Sequence, residues 1–348
     1  MKRISLVVLI LCACFGTVAW GQQPAGTCVN DWSEFHRTNM ERSNPCETVL
    51  NVHNVGGLVL KWSYTTSNMV ESSPAVVNGA VYVGSLDNNV YALNATTGAK
   101  LWSHNTGYQV QQPSPAVANG LVYGGSNHRS VYALNARTGH KLWSTTTGSA
   151  FASPTVADGV VYVGGGGGVF GDVYALNAKT GATLWWYNTG GLNGNSSPAV
   201  AAGVVYAGAE DDRDGLGSVF ALDAKTGTLL WNFPTAGPVH SSPAVANGMV
   251  YVGSNNQGSG GYLYALKAST GALLWSYAST LVSSPAVANG VVYVGSNDYS
   301  VYALNAKTGA KLWSYRTGSY VGFSSPAVAN GMVYVGSLDG KVYAFGLK

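Results

Sequence analysis

One unit of about forty residues repeats along nearly the whole of this chain, and this repeat constrains the fold more than any other sequence feature. The tetrapeptide Ser-Pro-Ala-Val, or Ser-Pro-Thr-Val in one copy, marks every unit. The prolines of these tetrapeptides are Pro74, Pro115, Pro154, Pro198, Pro243, Pro285 and Pro326. Their spacing of 39 to 45 residues is typical of solenoids and propellers.

Each unit contains four short apolar runs separated by turn residues. In the sixth unit the last three runs are residues 291–296, 301–305 and 312–315. Asn-Gly joins the first two runs in most units and favours the type I′ hairpin turn. Thr-Gly joins the last two, where glycine permits a positive φ. The pattern predicts a four-stranded antiparallel meander, and the proline of the first run makes that run an edge strand beside a central channel.

A helix-free unit of this kind is a propeller blade. The sequence therefore predicts an all-β protein, a seven-bladed β-propeller of four-stranded antiparallel blades. The seventh unit ends at Lys348 without a Leu-Trp run, whereas residues 58–64 supply such a run before the first unit. We expect this N-terminal strand to close the ring as the outer strand of the last blade, which leaves no long unpaired flank. Eight blades are the alternative.

The first 21 residues resemble an export signal. A charged start is followed by an apolar run over residues 4–15 and a small-x-small cleavage site at residues 19–21. The run is too short to span a membrane, so we expect a periplasmic or secreted protein. Lipid attachment at Cys14 is the alternative.

Residues 22–57 form an N-terminal arm, and residues 58–348 form the propeller. The arm contains Cys28 and Cys46, which we expect to form a disulfide in an oxidising compartment.

The charge of the chain excludes several kinds of partner. The formal net charge is +3, and only 9% of residues are charged. Lys2 and Arg3 belong to the export signal, so the mature chain is nearly neutral. This balance argues against nucleic acid and anionic membrane surfaces. We expect a monomer with no transmembrane segment, whose partner is a protein or an envelope glycan.

The segment 303–313, Ala-Leu-Asn-Ala-Lys-Thr-Gly-Ala-Lys-Leu-Trp, resembles the tryptophan-docking motif of the pyrroloquinoline quinone (PQQ)-like propeller family. The family's aspartate is asparagine in most copies here, with Asp223 and Lys267 as exceptions. The resemblance implies that the tryptophans stack between neighbouring blades. These tryptophans are Trp62, Trp102, Trp143, Trp185, Trp231, Trp275 and Trp313.

The family includes quinoprotein dehydrogenases, the outer-membrane assembly lipoprotein BamB and sensor domains. A PQQ enzyme needs calcium ligands and a general-base aspartate. The chain has no adjacent cysteines after the export signal and no long insertions. Asp87, Asp298 and Asp339 each follow Gly-Ser-x, which predicts local hairpin caps. We therefore expect no cofactor and no enzyme activity, with a PQQ- and calcium-dependent dehydrogenase as the alternative.

An acidic loop gives the one candidate metal site. Glu210, Asp212 and Asp214 precede Gly215 and imitate the start of a calcium loop. Ala221 stands where the terminal bidentate glutamate belongs, so a solvated loop is the alternative.

Sequence variation among the units is concentrated at one predicted face. In a four-stranded meander, the second-to-third turns and the blade-to-blade connections emerge together. This variation favours a ligand-binding face there. The alternative is that the loop sequences have drifted because they are under little constraint. Its candidate residues are Gln111, His128, Arg129, Phe151, Asn195, His240, Asn255 and Tyr320. We expect a non-enzymatic binding or scaffold protein, and a carbohydrate- or cell-wall-binding propeller is the second alternative to it.

Overall fold

The computed structural model consists of antiparallel β-sheets that follow one another along the chain. It describes residues 64–68, 72, 75–110, 113–126, 130–147, 152–166, 171–190, 196–210, 215–256, 260–280, 283–321, 325–329, 332–336 and 342–346. Within these ranges there are six four-stranded sheets and a seventh with three strands. The prediction of an all-β fold is thus confirmed. No helix in the described part of the chain is long and apolar enough to cross a membrane.

The sheets are numbered here as blades in chain order. Blade 1 contains β1 (Ala75–Val77), β2 (Ala80–Gly84), β3 (Asn89–Asn94) and β4 (Lys100–Asn105). Blade 2 contains β5 (Ala116–Ala118), β6 (Leu121–Ser126), β7 (Ser130–Asn135) and β8 (Lys141–Thr146). Blade 3 contains β9 (Thr155–Ala157), β10 (Val160–Gly166), β11 (Gly171–Asn177) and β12 (Thr183–Asn188). Blades 4 and 5 contain β13 (Ala199–Ala201), β14 (Val204–Glu210), β15 (Gly217–Asp223), β16 (Leu229–Thr235); β17 (Ala244–Ala246), β18 (Met249–Asn256), β19 (Gly260–Lys267) and β20 (Leu273–Ser279). Blades 6 and 7 contain β21 (Ala286–Ala288), β22 (Val291–Gly295), β23 (Ser300–Asn305), β24 (Lys311–Arg316); β25 (Ala327–Ala329), β26 (Met332–Gly336) and β27 (Val342–Gly346).

The first strand of each blade lies beside the first strand of the next blade, from β1 to β25. The short inner strands therefore surround a common axis, as in a β-propeller. Each inner strand begins at the residue after the proline, so that Ala116 follows Pro115 and Ala244 follows Pro243. The proline thus precedes the strand instead of lying in it, because it has no N–H to donate to the ladder.

Serines before these prolines connect the blades around the axis. The backbone N–H of Ser114 donates to Ser153 Oγ at 3.0 Å, and Ser153 N donates to Ser197 Oγ at 3.0 Å. Ser197 N donates to Ser242 Oγ at 3.0 Å, and Ser242 N donates to Ser284 Oγ at 2.9 Å. This serine relay satisfies buried backbone donors that the short inner strands leave unpaired.

The tryptophans of the outer strands connect each blade to the next blade farther from the axis. Trp185 Nε1 in blade 3 donates to Ala224 O in blade 4 at 3.0 Å. A Cβ on Gly227, whose φ is +72°, would lie 2.7 Å from the Trp185 ring. The glycine of the Lys-Thr-Gly turn thus provides both the positive φ and the flat surface on which the indole lies. The same Nε1 bond is made by Trp102, Trp143, Trp231 and Trp275.

A tyrosine on the second strand shares the acceptor of each docked tryptophan. Tyr162 Oη donates to Ala224 O at 3.1 Å, and its ring centroid lies 5.9 Å from that of Trp185. One carbonyl therefore accepts two donors from the preceding blade, using both of its lone pairs. Tyr82, Tyr123, Tyr206 and Tyr251 make the equivalent bonds.

Blade 2 contains a packing irregularity at Gly124, and a prediction about stability follows from it. Gly124 stands where Val83 and Val163 stand in blades 1 and 3. A Cβ on Gly124 would lie 2.4 Å from the hydroxyl of Tyr132, so that hydroxyl fills the space of the missing side chain. Tyr132 is 4% exposed, and its Oη has no hydrogen-bond partner among the described residues. Burial raises the pKa of this phenol.

Tyr132→Phe is therefore expected to raise the free energy of unfolding by about 1 kcal/mol, because it removes a buried unsatisfied hydroxyl. Tyr91→Phe is the matched control at the equivalent position of blade 1, since Tyr91 Oη donates to Asp87 Oδ2 at 2.6 Å. That control should lose about 1.5–3 kcal/mol, typical of a hydrogen bond to a charged group. Urea denaturation measures both; equal losses in the two variants would contradict the prediction.

Candidate functional site: the connection face

Hydrogen bonds divide the loops of the propeller between two faces. Val110, in the connection between blades 1 and 2, donates its N–H to Ser85 O in the second-to-third turn of blade 1. Ala136, in a third-to-fourth turn, instead donates to Gly120 O in a first-to-second turn. We call the first set of loops the connection face and the second set the turn face. The connections and the second-to-third turns therefore meet, as the strand order requires.

The connection between blades 4 and 5 brings three of the predicted candidates into one region. Glu210, at the end of β14, pairs with His240: Oε2 lies 2.9 Å from Nε2. Val239 N donates to Ala209 O at 3.3 Å, and Asn255 N donates to Pro238 O at 2.8 Å. The connection thus bridges the second strands of blades 4 and 5. It places His240 next to Glu210 of the blade 4 strand and close in sequence to Pro238, which bonds Asn255 of the blade 5 strand. Both side chains of the Glu210–His240 pair remain partly exposed.

A second group lies at blade 6, on the same face. Tyr320, in the connection that follows β24, has its ring centroid 4.9 Å from that of Tyr299, in the second-to-third turn. The guanidinium carbon of Arg316 lies 5.3 Å from the Tyr299 centroid. The side-chain hydrogen bond with Tyr299 and the charge of the ionised Tyr299 phenol raise the pKa of Tyr320. We call Tyr299, Arg316 and Tyr320 the aromatic–arginine cluster.

The aspartates of two Gly-Ser-x-Asp turns, in blades 1 and 6, cap their own hairpins. Asp87 Oδ1 accepts the backbone N–H of Asn89 at 3.0 Å, and Asp298 Oδ1 accepts that of Ser300 at 2.9 Å. Burial raises the pKa of Asp87, but hydrogen bonds from Tyr91, Ser67 and Asn89 outweigh this and hold it below the ordinary value. These carboxylates are therefore already occupied by structural donors.

Several predicted residues lie outside the described residues. They are the ligand-face candidates Gln111, His128, Arg129, Phe151 and Asn195, the metal candidates Asp212 and Asp214, the hairpin aspartate Asp339, the docking residue Trp62, and Cys28 and Cys46. Their placement stays a prediction.

Tyr299 and Arg316 were not among the candidates predicted from the sequence. The sequence feature that could have indicated Tyr299 is the last position of the Ser-x-Asp-x turn, where blade 1 has Asn88 and blade 6 has Tyr299. Both residues have a positive φ, of 73° and 71°, and tyrosine is an unusual choice for that conformation. The sequence did not indicate Arg316, because its place beside Tyr299 follows from the strand register, which pairs Arg316 with Ser300.

The described carboxylates do not form a calcium cage. Glu210 is paired with His240, whereas Asp87 and Asp298 accept hydrogen bonds from their own turns. No group of three or more His, Cys, Asp or Glu side chains that could hold a metal occurs among the described residues. This part of the chain therefore provides no carboxylate cluster for the calcium that supports PQQ chemistry.

Comparison with known families accounts for this repeat. The family described as outer membrane protein assembly factor BamB matches residues 59–150, 90–213, 170–262 and 215–348, and together these matches cover residues 59–348. The chain belongs to this BamB-like family of PQQ-type repeats. The predicted resemblance to PQQ-like propellers is thereby confirmed.

Solved structures with this fold include a BamB and quinone- or metal-containing alcohol dehydrogenases. BamB from Moraxella catarrhalis is 21% identical, with a TM-score of 0.69 over 82% of this chain and 88% of that chain. A europium-containing methanol dehydrogenase is 18% identical, with a TM-score of 0.72 over 91% of this chain and 85% of that one. Quinohemoprotein alcohol dehydrogenase from Comamonas testosteroni is 19% identical, with a TM-score of 0.60 over 89% and 76%. At these identities the likeness establishes the propeller fold alone.

One curated relative is an enzyme subunit, the dehydrogenase subunit of alcohol dehydrogenase (quinone) from Gluconobacter oxydans. It is 34% identical over 100 residues, which are 25% of this chain and 13% of that protein. The chain thus matches a small fraction of this relative's length.

Proposed function

We propose that this chain is a non-enzymatic binding or scaffold propeller that presents its connection face to a partner. The observation that carries this proposal is that three of the four described connection-face carboxylates are committed to structural bonds, whereas Asp172 accepts a hydrogen bond only from Tyr174. Asp87 and Asp298 cap turns, and Glu210 pairs with His240. A quinoprotein needs such groups free to hold a metal and accept a proton. The BamB-like family membership is compatible with a role in protein interaction.

Titration of the purified protein with PQQ tests the absence of quinone chemistry. We expect no quinone to be retained after dialysis with calcium or with europium, and no alcohol-dependent dye reduction. An apo-quinoprotein alcohol dehydrogenase, treated in parallel, serves as the positive control. Stoichiometric quinone retention with alcohol-dependent turnover would contradict the proposal.

A quinoprotein oxidoreductase is the second candidate function. It is favoured by the local match to the quinone-dependent alcohol dehydrogenase subunit and by the fold likeness to two quinoproteins. The same titration decides between the two candidates.

We also propose that the ring has seven blades and is closed by residues 58–64. In blades 3, 4 and 5, the aromatic residue two positions after the docking tryptophan contacts the third-strand aromatic of the next blade. These pairs are Tyr187–Phe220, Phe233–Tyr264 and Tyr277–Tyr302, with centroids 5.4 to 5.8 Å apart. Tyr64 stands two positions after Trp62, and its centroid lies 5.6 Å from that of Tyr91 in blade 1. This repeated contact supports an outer strand that ends at Tyr64 and precedes blade 1.

The proposed context of the propeller is outside the cytoplasm. Residues 1–21 would direct export, with Cys14 as the alternative lipidation site. Residues 22–57 would form an arm with a Cys28–Cys46 disulfide. A monomeric propeller in that compartment would meet protein or glycan partners of the cell envelope.

A further inference from the structure

Tyr299 occupies a backbone conformation that disfavours it. Its φ is 71°, in the left-handed region where a bulky L residue is an outlier. Blade 1 places Asn88, a residue that tolerates this region well, at the same turn position. Blade 7 has Gly340 there in the sequence. Local backbone preference therefore does not explain the tyrosine, and such outliers are concentrated at functional sites.

The surrounding residues hold the backbone of Tyr299 in this conformation. Tyr299 O accepts Thr317 N at 2.6 Å and Thr317 Oγ1 at 2.7 Å. Thr317 Oγ1 also lies 2.7 Å from Ser319 O, which ties down the start of the connection that carries Tyr320. Hydrogen bonds of the loop backbone thus restrain both segments that carry the two tyrosines.

The aromatic–arginine cluster offers an exposed tyrosine ring and a guanidinium that has no carboxylate partner among the described residues. Tyr320 is 41% exposed. Arg316 is exposed, and no carboxylate lies within ion-pair distance of it in the described part of the chain. A guanidinium beside an aromatic ring provides five N–H donors in a planar fork that matches a carboxylate.

We infer that the aromatic–arginine cluster is a binding site for a carboxylated sugar of a glycan. The exposed ring of Tyr320 would take the apolar face of the hexose, and Arg316 would take its carboxylate. The phenol hydroxyls of Tyr299 and Tyr320 would bond the sugar hydroxyls, as convergent polar groups do in small-ligand sites. An acidic peptide is less well matched, because its carboxylates engage Arg316 without requiring the open ring. This inference deepens the proposed binding function and rests on it.

Calorimetric titration with oligogalacturonate tests the site directly. The wild type should bind oligogalacturonate and should bind its fully methyl-esterified form at least about tenfold more weakly, because esterification removes the charge that Arg316 bonds. Arg316→Gln and Tyr320→Ser should each weaken binding of the acid form by about tenfold or more. Tyr108→Ser is the matched control, since Tyr108 is a 46% exposed tyrosine in the blade 1–2 connection, and it should leave binding unchanged.

Tyr299→Asn separates a functional role from a packing role. Asparagine relieves the backbone strain, so the melting temperature should stay within about 2 °C of the wild type while binding falls. A fall of more than about 5 °C would show that Tyr299 serves packing, and the inference would be wrong. No binding of oligogalacturonate, equal binding by Arg316→Gln, or tighter binding of polyglutamate would also overturn it. The quinone titration reports on the proposed function independently of all these results.

Discussion

Replacing Trp185 by alanine should lower the free energy of unfolding by about 3–5 kcal/mol. Trp185 is 8% exposed and packs against Gly227 and Tyr162 while its Nε1 donates to Ala224 O. The substitution leaves a cavity between blades 3 and 4 and takes one of the two donors from Ala224 O. Because Gly227 has no side chain, the neighbouring blade has little with which to fill the gap.

Trp186→Ala is a closely matched control, because it removes the same side chain from the next position of the same strand. Trp186 is 58% exposed, so its loss should change the free energy of unfolding by about 1 kcal/mol or less. Urea denaturation followed by near-ultraviolet circular dichroism measures both variants. Similar losses in both would show that the indoles stabilise the strand itself and not the contact between blades.

Deleting residues 22–64 should prevent the protein from folding, whereas deleting residues 22–50 should leave a folded propeller. The longer deletion removes the proposed outer strand of the last blade and the Tyr64 ring that packs on Tyr91. A propeller opened at this point exposes an unpaired sheet edge and an uncovered blade face, which favour aggregation.

The shorter deletion controls for the arm, because both variants lack Cys28 and Cys46 and differ only in residues 51–64. Size-exclusion chromatography and thermal melting compare the two. If the longer deletion yields a monomer with an unchanged melting temperature, residues 58–64 do not close the ring.

The repeat made the strands and turns predictable, because each depends on residues close together in one unit. Asn119-Gly120 illustrates this: the dipeptide predicts a type I′ turn, and the structure has φ values of 52° and 75° there. The register that follows pairs Ala118 with Leu121. The stacking of the tryptophans between blades was instead implied by the resemblance to PQQ-like propellers.

Contacts between units were not predictable in the same way. The hydroxyl of Ser153 reads in the sequence as part of a turn, and only the placement of two blades shows that it accepts Ser114 N. Similarly, the tyrosine of the second strand reads as a strand former, although Tyr162 bonds a carbonyl 62 residues away. At the site, Glu210 and His240 were both predicted, but their pairing depends on the path of the connection between blades 4 and 5.

The serine relay restrains how far the inner strands of blades 2 to 6 can separate. Every bond that it contains runs in one rotational direction, from the N–H of one blade to the hydroxyl of the next, between Ser114 and Ser284. Moving these inner strands apart would stretch the bonds together instead of one at a time. We therefore expect a ligand on the connection face to leave the inner strands of blades 2 to 6 in place and to move only the loops beside them.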